Sequence, residues 1–207
     1  MAASLIIGQG YLTEPGPQLP ATAKAVRWLS AQATEAGSDW RERLRHGTAV
    51  PSWALYDVIT GLSGTGRILL AAVEAGHGGA EQGLAAALDT LTTMIATPRS
   101  RTRPGWWLPA EGHPSARGVP PSGVAETGVA HGIAGPLALL SISASAGWLV
   151  SGQADAIEAA ARWLLDWQDP GTLAWPPHLA GADLDRAQPS PTPGRRDAWC
   201  SRNRPIR

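Results

Sequence analysis

An all-α protein in two concentric helical layers is what the sequence predicts, and three observations carry the prediction. The first is an internal repeat. Gly61-Leu-Ser-Gly64 falls on Gly132-Ile-Ala-Gly135 at an offset of 71 residues, and the same offset brings Leu69 onto Leu140 and Gly76 onto Gly147. The second is a regular exchange between a wholly apolar helix that starts on glycine and an amphipathic helix that follows it. The third is that no stretch of strand-like, period-two alternation of any length intervenes.

Taken in order, the first predicted helix runs from Ala21 to Ala36 and sets Trp28 and Leu29 on its apolar side. It has the amphipathic character of an outer helix, without an inner partner before it. An apolar helix of about fifteen residues then begins near Gly61 and closes at Gly76, where a glycine suits a left-handed C-terminal cap. Ala80 to Ala96 follows as an amphipathic helix, with Leu84, Leu88, Leu91 and Ile95 on one stripe. The second copy repeats the pair: Gly132 to Gly147, then Gln153 to Gln168 with Ile157, Ala160, Ala161, Leu164 and Leu165 on its apolar side. Each amphipathic helix ends near a proline, Pro98 or Pro170. A Trp- and Pro-rich connector comes next, Gly105-Trp-Trp-Leu-Pro109 or Trp175-Pro-Pro177. The loops 99–123 and 171–195 are long enough to be functional or mobile. Buried apolar helices jacketed by amphipathic ones make an α/α toroid, here an incomplete ring of about two to three hairpins; an α-solenoid is the alternative. The expected domain is a single partial toroid over 1–207, with 201–207 set apart as an aberrant tail.

Composition narrows the function classes. Hydrophobic residues make up 43% and charged residues 16%, with 17 basic against 17 acidic side chains, so nothing offers the basic face that nucleic acid requires. Cys200 is the single cysteine, which excludes an intrachain disulfide. Met1 to Gly10 lacks the basic start and long apolar run of a secretory signal. From Gly132 to Val150 nineteen residues carry no charge, near the length of a membrane span, yet Gly132, Gly135, Pro136 and Gly147 interrupt it and three serines lie within it. A helix buried on every side explains that window better, and a cytoplasmic protein without a transmembrane span is expected.

Four polar residues stand at or just before the starts of the repeat's apolar helices. They are Asp57 in Tyr56-Asp-Val-Ile-Thr-Gly61, His131 in Gly128-Val-Ala-His-Gly132, and both Arg196 and Cys200 in Arg196-Asp-Ala-Trp-Cys200. Equivalent repeat positions lie at the same end of a toroid, so these side chains are expected to converge on one mouth, beside helix N-termini that favour negative charge. Each also has a plainer reading. Asp57 suits an N-cap, His131 a hydrogen-bonded structural histidine, and Cys200 a small buried hydrophobe. His46, His77, His113 and His178 fall in polar or loop segments, and no role is assigned to them.

Three of these segments, in order and spacing from Tyr56 to Cys200, resemble the lanthionine synthetase C-like family. Gly128-Val-Ala-His-Gly-Ile-Ala-Gly135 resembles its Ala-His-Gly-x-x-Gly signature. Tyr56-Asp-Val-Ile-Thr-Gly-Leu-Ser-Gly64 is similar to its first Gly-x-x-Gly element. Arg196-Asp-Ala-Trp-Cys200 is similar to the approach to its Trp-Cys-Tyr-Gly zinc motif. The resemblance implies a toroid of seven hairpins with zinc held by two cysteines and one histidine, Cys200 being the one ligand present. It implies a dehydrated precursor peptide as substrate, whose cysteine thiols add to dehydroalanine or dehydrobutyrine to close the thioether rings of lantibiotics. Zinc would lower the pKa of the substrate thiol. On this reading His131 is the acid/base, Asp57 its orienting partner, and Arg196 the stabiliser of enolate or peptide charge. It also implies a dehydratase and transporter complex as partners, with a place beside a membrane-associated biosynthetic assembly.

The pattern then breaks. A third copy calls for glycines near 202 and 205, where the chain reads Ser201-Arg-Asn-Arg-Pro-Ile-Arg207, with the only asparagine, Asn203, inside it. The Tyr-Gly after Cys200 and the later Cys-His pair are missing, which suggests a change of reading frame soon after codon 200; translating the downstream DNA in the other frames tests it. The chain alone is therefore expected to be an inactive fragment, truncated at both ends, that does not retain Zn2+. Two other readings stay open. A glycosidase on a related α/α toroid needs two carboxylates, for which Asp57, Glu111 and Glu126 are available. A peptide-binding helical-repeat remnant would use Trp106, Trp107 and Trp175 as contact surface.

Overall fold

The computed structural model describes residues 19–111, 113 and 119–186. Four helices come first: α1 (Leu19–Arg45), the short turn α2 (Trp53–Tyr56), α3 (Leu62–Glu74) and α4 (Glu81–Ala96). A strand, β1 (Val124–Glu126), leads to α5 (Ala134–Ser145) and α6 (Gln153–Asp166). A second strand, β2 (His178–Ala180), runs directly into α7 (Gly181–Arg186).

The helices form two layers, as expected. The inner α3 and α5 pack on each other, while the outer α1, α4 and α6 stand in a row in which α4 touches both neighbours. Each inner helix lies against two outer ones, α3 on α1 and α4, α5 on α4 and α6. Helix α4 is the hub, and its Leu84, Ala87, Leu88, Leu91, Met94 and Ile95 are all buried. Burying each of its leucines contributes about 1.5–3 kcal/mol relative to leaving it in water. Glycine lets the two inner helices approach closely: a Cβ on Gly66 of α3 would strike Leu139 of α5 at 2.5 Å. The repeat extends to the caps, because Gly76 and Gly147 both close their inner helices at positive φ (76° and 83°).

Several expectations change. Helix α1 continues past Ala36 to Arg45, with Val26, Leu29, Ala33 and Trp40 on its buried stripe, and ends on Gly47 at φ 68°. Gly37 does not break it; a Cβ there would meet Thr90 Oγ1 at 2.7 Å, so the glycine is where α1 and α4 approach closely. Trp28 faces outward and is 58% exposed, because it sits across the helix from that stripe. The inner helices are 13 and 12 residues long rather than about fifteen. The uncharged window is not buried on every side, since Ile142 and Leu149 are exposed, as is Leu165 on α6. Among the described residues no helix is long and apolar enough to cross a membrane.

The two strands were not expected. They come together antiparallel from the two long connectors, pairing Val124 with Ala180, Ala125 with Leu179 and Glu126 with His178. Leu108 bridges to Val124 on the other side. Of the connector tryptophans, Trp106 and Trp107 are buried, Trp106 edge-on to Trp163 at 5.0 Å and Trp107 beneath the Arg103 guanidinium at 4.7 Å. Both belong to the core and not to a contact surface, whereas Trp175 is 43% exposed. Arg103 is held in turn by a two-pronged pair with Asp185 at 2.7 and 2.9 Å, which fastens α7 to the first connector.

Candidate functional site

The loops that enter α3 and α5 are built alike. In each, a glycine four residues beyond the loop's start packs against that starting residue: Gly61 against Asp57, Gly132 against Gly128. Three residues further on, Gly64 and Gly135 sit on the carbonyls of Val58 and Val129, the same position of each copy. A side chain at any of these glycines would meet backbone, which explains why both copies carry the same glycine pair. The Val58 amide donates to the Ala130 carbonyl at 3.0 Å, so the two loops are joined main chain to main chain.

That junction places Asp57 and His131 together. Asp57 follows the α2 turn, is 1% exposed, and uses its two oxygens separately. Oδ1 accepts from the amides of Thr60 (2.6 Å) and Gly61 (2.7 Å) and from the Thr60 hydroxyl (3.2 Å). Oδ2 lies 2.8 Å from His131 Nδ1. One carboxylate therefore closes the turn into α3 and touches His131, although the N-cap of α3 is Gly61 rather than Asp57. An ionised carboxylate only accepts, so the neutral imidazole carries its proton on Nδ1 and Nε2 is left for a ligand. The His131 side chain is 39% exposed, enough to be reached from outside.

Sequence reasoning left out what surrounds this pair. Trp53 of α2 stacks on the His131 ring, centroids 4.0 Å apart and planes 18° apart. Its indole N–H donates to Glu126 Oε2 at 2.5 Å. His113 also meets Trp53, in a T-shaped contact at 4.9 Å, with Nε2 3.9 Å from Glu126 Oε1. Burial pushes the Glu126 carboxyl above the usual glutamate range, against the opposing pull of the Trp53 N–H and of His113, His131 and His178. Burial also drives the Tyr56 hydroxyl well up, and Glu126 and Asp57 add to it. The repeat offset could not reveal these residues because they come from the short turn, the first connector and the strand pair, which lie outside the repeated helices.

Both nearby carboxylates are committed, Asp57 to its turn and His131, Glu126 to Trp53, so the open carboxylate pair a glycosidase needs is not formed by them. Glu111 is exposed. Arg196, Cys200 and the 201–207 tail lie outside the described residues. Among the described residues no group of three His, Cys, Asp or Glu side chains is placed to hold a metal ion.

Comparison with known proteins follows the same lines. The model of the family described as "Lanthionine synthetase C-like protein" matches residues 29–201. Comparison with curated proteins gives no match. Among solved structures the chain is similar to nisin cyclase, with a TM-score of 0.70 and 19% identity over 89% of this chain and 44% of that one. It thus spans less than half the length of nisin cyclase, and the likeness shows the α/α toroid fold. With the family model matching most of its length, the chain belongs to the lanthionine synthetase C-like proteins.

Proposed function

We propose that this chain carries the acid–base part of a lanthionine cyclase site, acting on a dehydrated precursor peptide that presents a cysteine and a dehydroalanine or dehydrobutyrine. The observation that carries the reading is the 2.8 Å contact between Asp57 and His131, 74 residues apart in sequence and brought together by the two repeat turns. In the reaction the cysteine thiolate bonds to the alkene carbon, and the π electron pair moves onto the α-carbon and its carbonyl. Protonated His131 Nε2 then delivers a proton to the α-carbon. The proton lost by the thiol passes through solvent back to His131 Nε2 and restores the imidazolium, so atoms and charge balance. Asp57 fixes the ring and steadies its positive form; a group held in this way contributes typically about 10²- to 10⁴-fold.

Arg196 and Cys200 keep the roles that family likeness gives them, Arg196 opposite the enolate charge and Cys200 as a zinc ligand. The zinc set itself does not fit this chain, which has one cysteine where two cysteines and a histidine are needed. No step is routed through the metal here. Without it the substrate thiol stays protonated at neutral pH, so the chain alone is inactive there. We take 1–207 as one domain of toroid type, with a dehydratase and transporter complex as its working partners in the cytoplasm.

The test exploits alkaline thiolate. Near pH 8.5 a cysteine ionises by itself, so the acid–base pair can be read without zinc. A peptide with one cysteine and one dehydroalanine, incubated with the full chain, is expected to lose its thiol faster than peptide alone, and His131→Gln to abolish the difference. Peptide binding with no acceleration overturns the proposal in favour of a binding remnant.

A further inference from the structure

One hydrogen bond does not fix an imidazole. Asp57 holds His131 at Nδ1, and the ring remains free to swing about that contact unless a second constraint sets its plane. The second constraint is visible. Trp53 lies parallel to the ring at 4.0 Å, close enough for full face contact. Trp53 is itself held at two points: its indole N–H by the Glu126 carboxylate at 2.5 Å, and its ring by an edge contact with His113 at 4.9 Å. Glu126 in turn is set by the β1–β2 pairing, where it opposes His178. Four segments that the repeat does not relate thus end on one imidazole.

We propose that Trp53 and Glu126 form a clamp that fixes the plane of the His131 ring, Trp53 as the positioning residue and Glu126 as its anchor. The clamp rests on the acid–base reading of His131 and deepens it, because proton delivery to a carbon requires a set direction for Nε2. The indole face also suits a cationic ring, so the stack stays favourable when His131 is protonated. Neither residue needs to touch substrate.

Nuclear magnetic resonance on the full chain with labelled histidine reads this directly. His131 signals, assigned by their loss in His131→Gln, are expected upfield from the indole ring current, with nitrogen shifts of a single Nδ1–H tautomer. Trp53→Leu is expected to abolish the upfield displacement and, by letting the ring swing off its Asp57 contact, to average the tautomers. Glu126→Ala should weaken both effects, and Glu126→Gln, which can still accept from the indole, should restore them. A residue that merely fills space would, on replacement by leucine, change thermal stability and take its ring current with it, but would leave the single tautomer in place. Unshifted His131 protons in the wild-type chain overturn the clamp even where Trp53→Leu does not fold. So does a folded Trp53→Leu in which the single Nδ1–H tautomer persists. Asp57→Asn separates the two proposals: if it leaves the tautomer as it was, the acid–base reading fails, whatever the tryptophan does.

Discussion

Asp57 reaches His131 with one oxygen while its other oxygen closes the turn into α3, so a single buried carboxylate couples local backbone geometry to the site. The two tasks separate chemically. The turn needs an acceptor at Oδ1, whereas His131 needs an acceptor at Oδ2, which an amide nitrogen is not.

That division predicts a split between stability and activity. Asp57→Ala strands the buried Gly61 amide and removes the acceptor of the part-buried Thr60 amide, and is expected to cost about 1–3 kcal/mol. Asp57→Asn keeps an oxygen for those amides and should stay near wild-type stability, measured as the urea midpoint. Its NH2 faces Nδ1 and reverses the tautomer, so thioether formation at alkaline pH is expected to fall about 10²-fold or more. Equal stability loss in the two variants would contradict the assignment.

Glu126 makes stability depend on pH. Its folded value is raised, chiefly by burial, so above the ordinary value of about 4.3 the unfolded chain releases a proton that the folded chain still holds. Stability therefore falls as pH rises through that window and levels off above the raised value. Glu126→Gln removes this contribution. Urea midpoints of the two chains, followed from acid to neutral pH, are expected to separate in that interval, the wild type showing the extra downward slope.

Metal retention tests the donor set. Full chain incubated with zinc and passed through a desalting column is expected to hold well under one zinc per chain, with Cys200→Ala indistinguishable from wild type. A stoichiometric metal lost on Cys200→Ala would show that this chain completes a zinc site by itself.

Much of the fold was legible because it is periodic. The 71-residue offset between Gly61 and Gly132 located both inner helices, their caps and the two turns that carry Asp57 and His131. Errors arose where no period exists. Three-residue strands are too short to show alternation, so the pairing of Glu126 with His178 was invisible, and with it the anchor of Trp53. The predicted first helix stops at Ala36, short of Gly37, because sequence does not show that Thr90 packs against that glycine. Trp28 and Leu29 are adjacent, and on a helix adjacent residues point about 100° apart, so one is buried and the other faces solvent. Glu126 was weighed only as half of a glycosidase pair, and nothing in its local sequence indicates that an indole 73 residues earlier holds it.

The measurement that tests the central claim most directly is a double-mutant cycle on thioether formation near pH 8.5, using Asp57→Asn, His131→Gln and the two together. If Asp57 acts through His131, each single variant loses the acceleration and the double variant is no slower than His131→Gln alone. If either single variant forms thioether as fast as wild type, or if the two losses simply multiply, Asp57 and His131 do not work as the pair the structure shows.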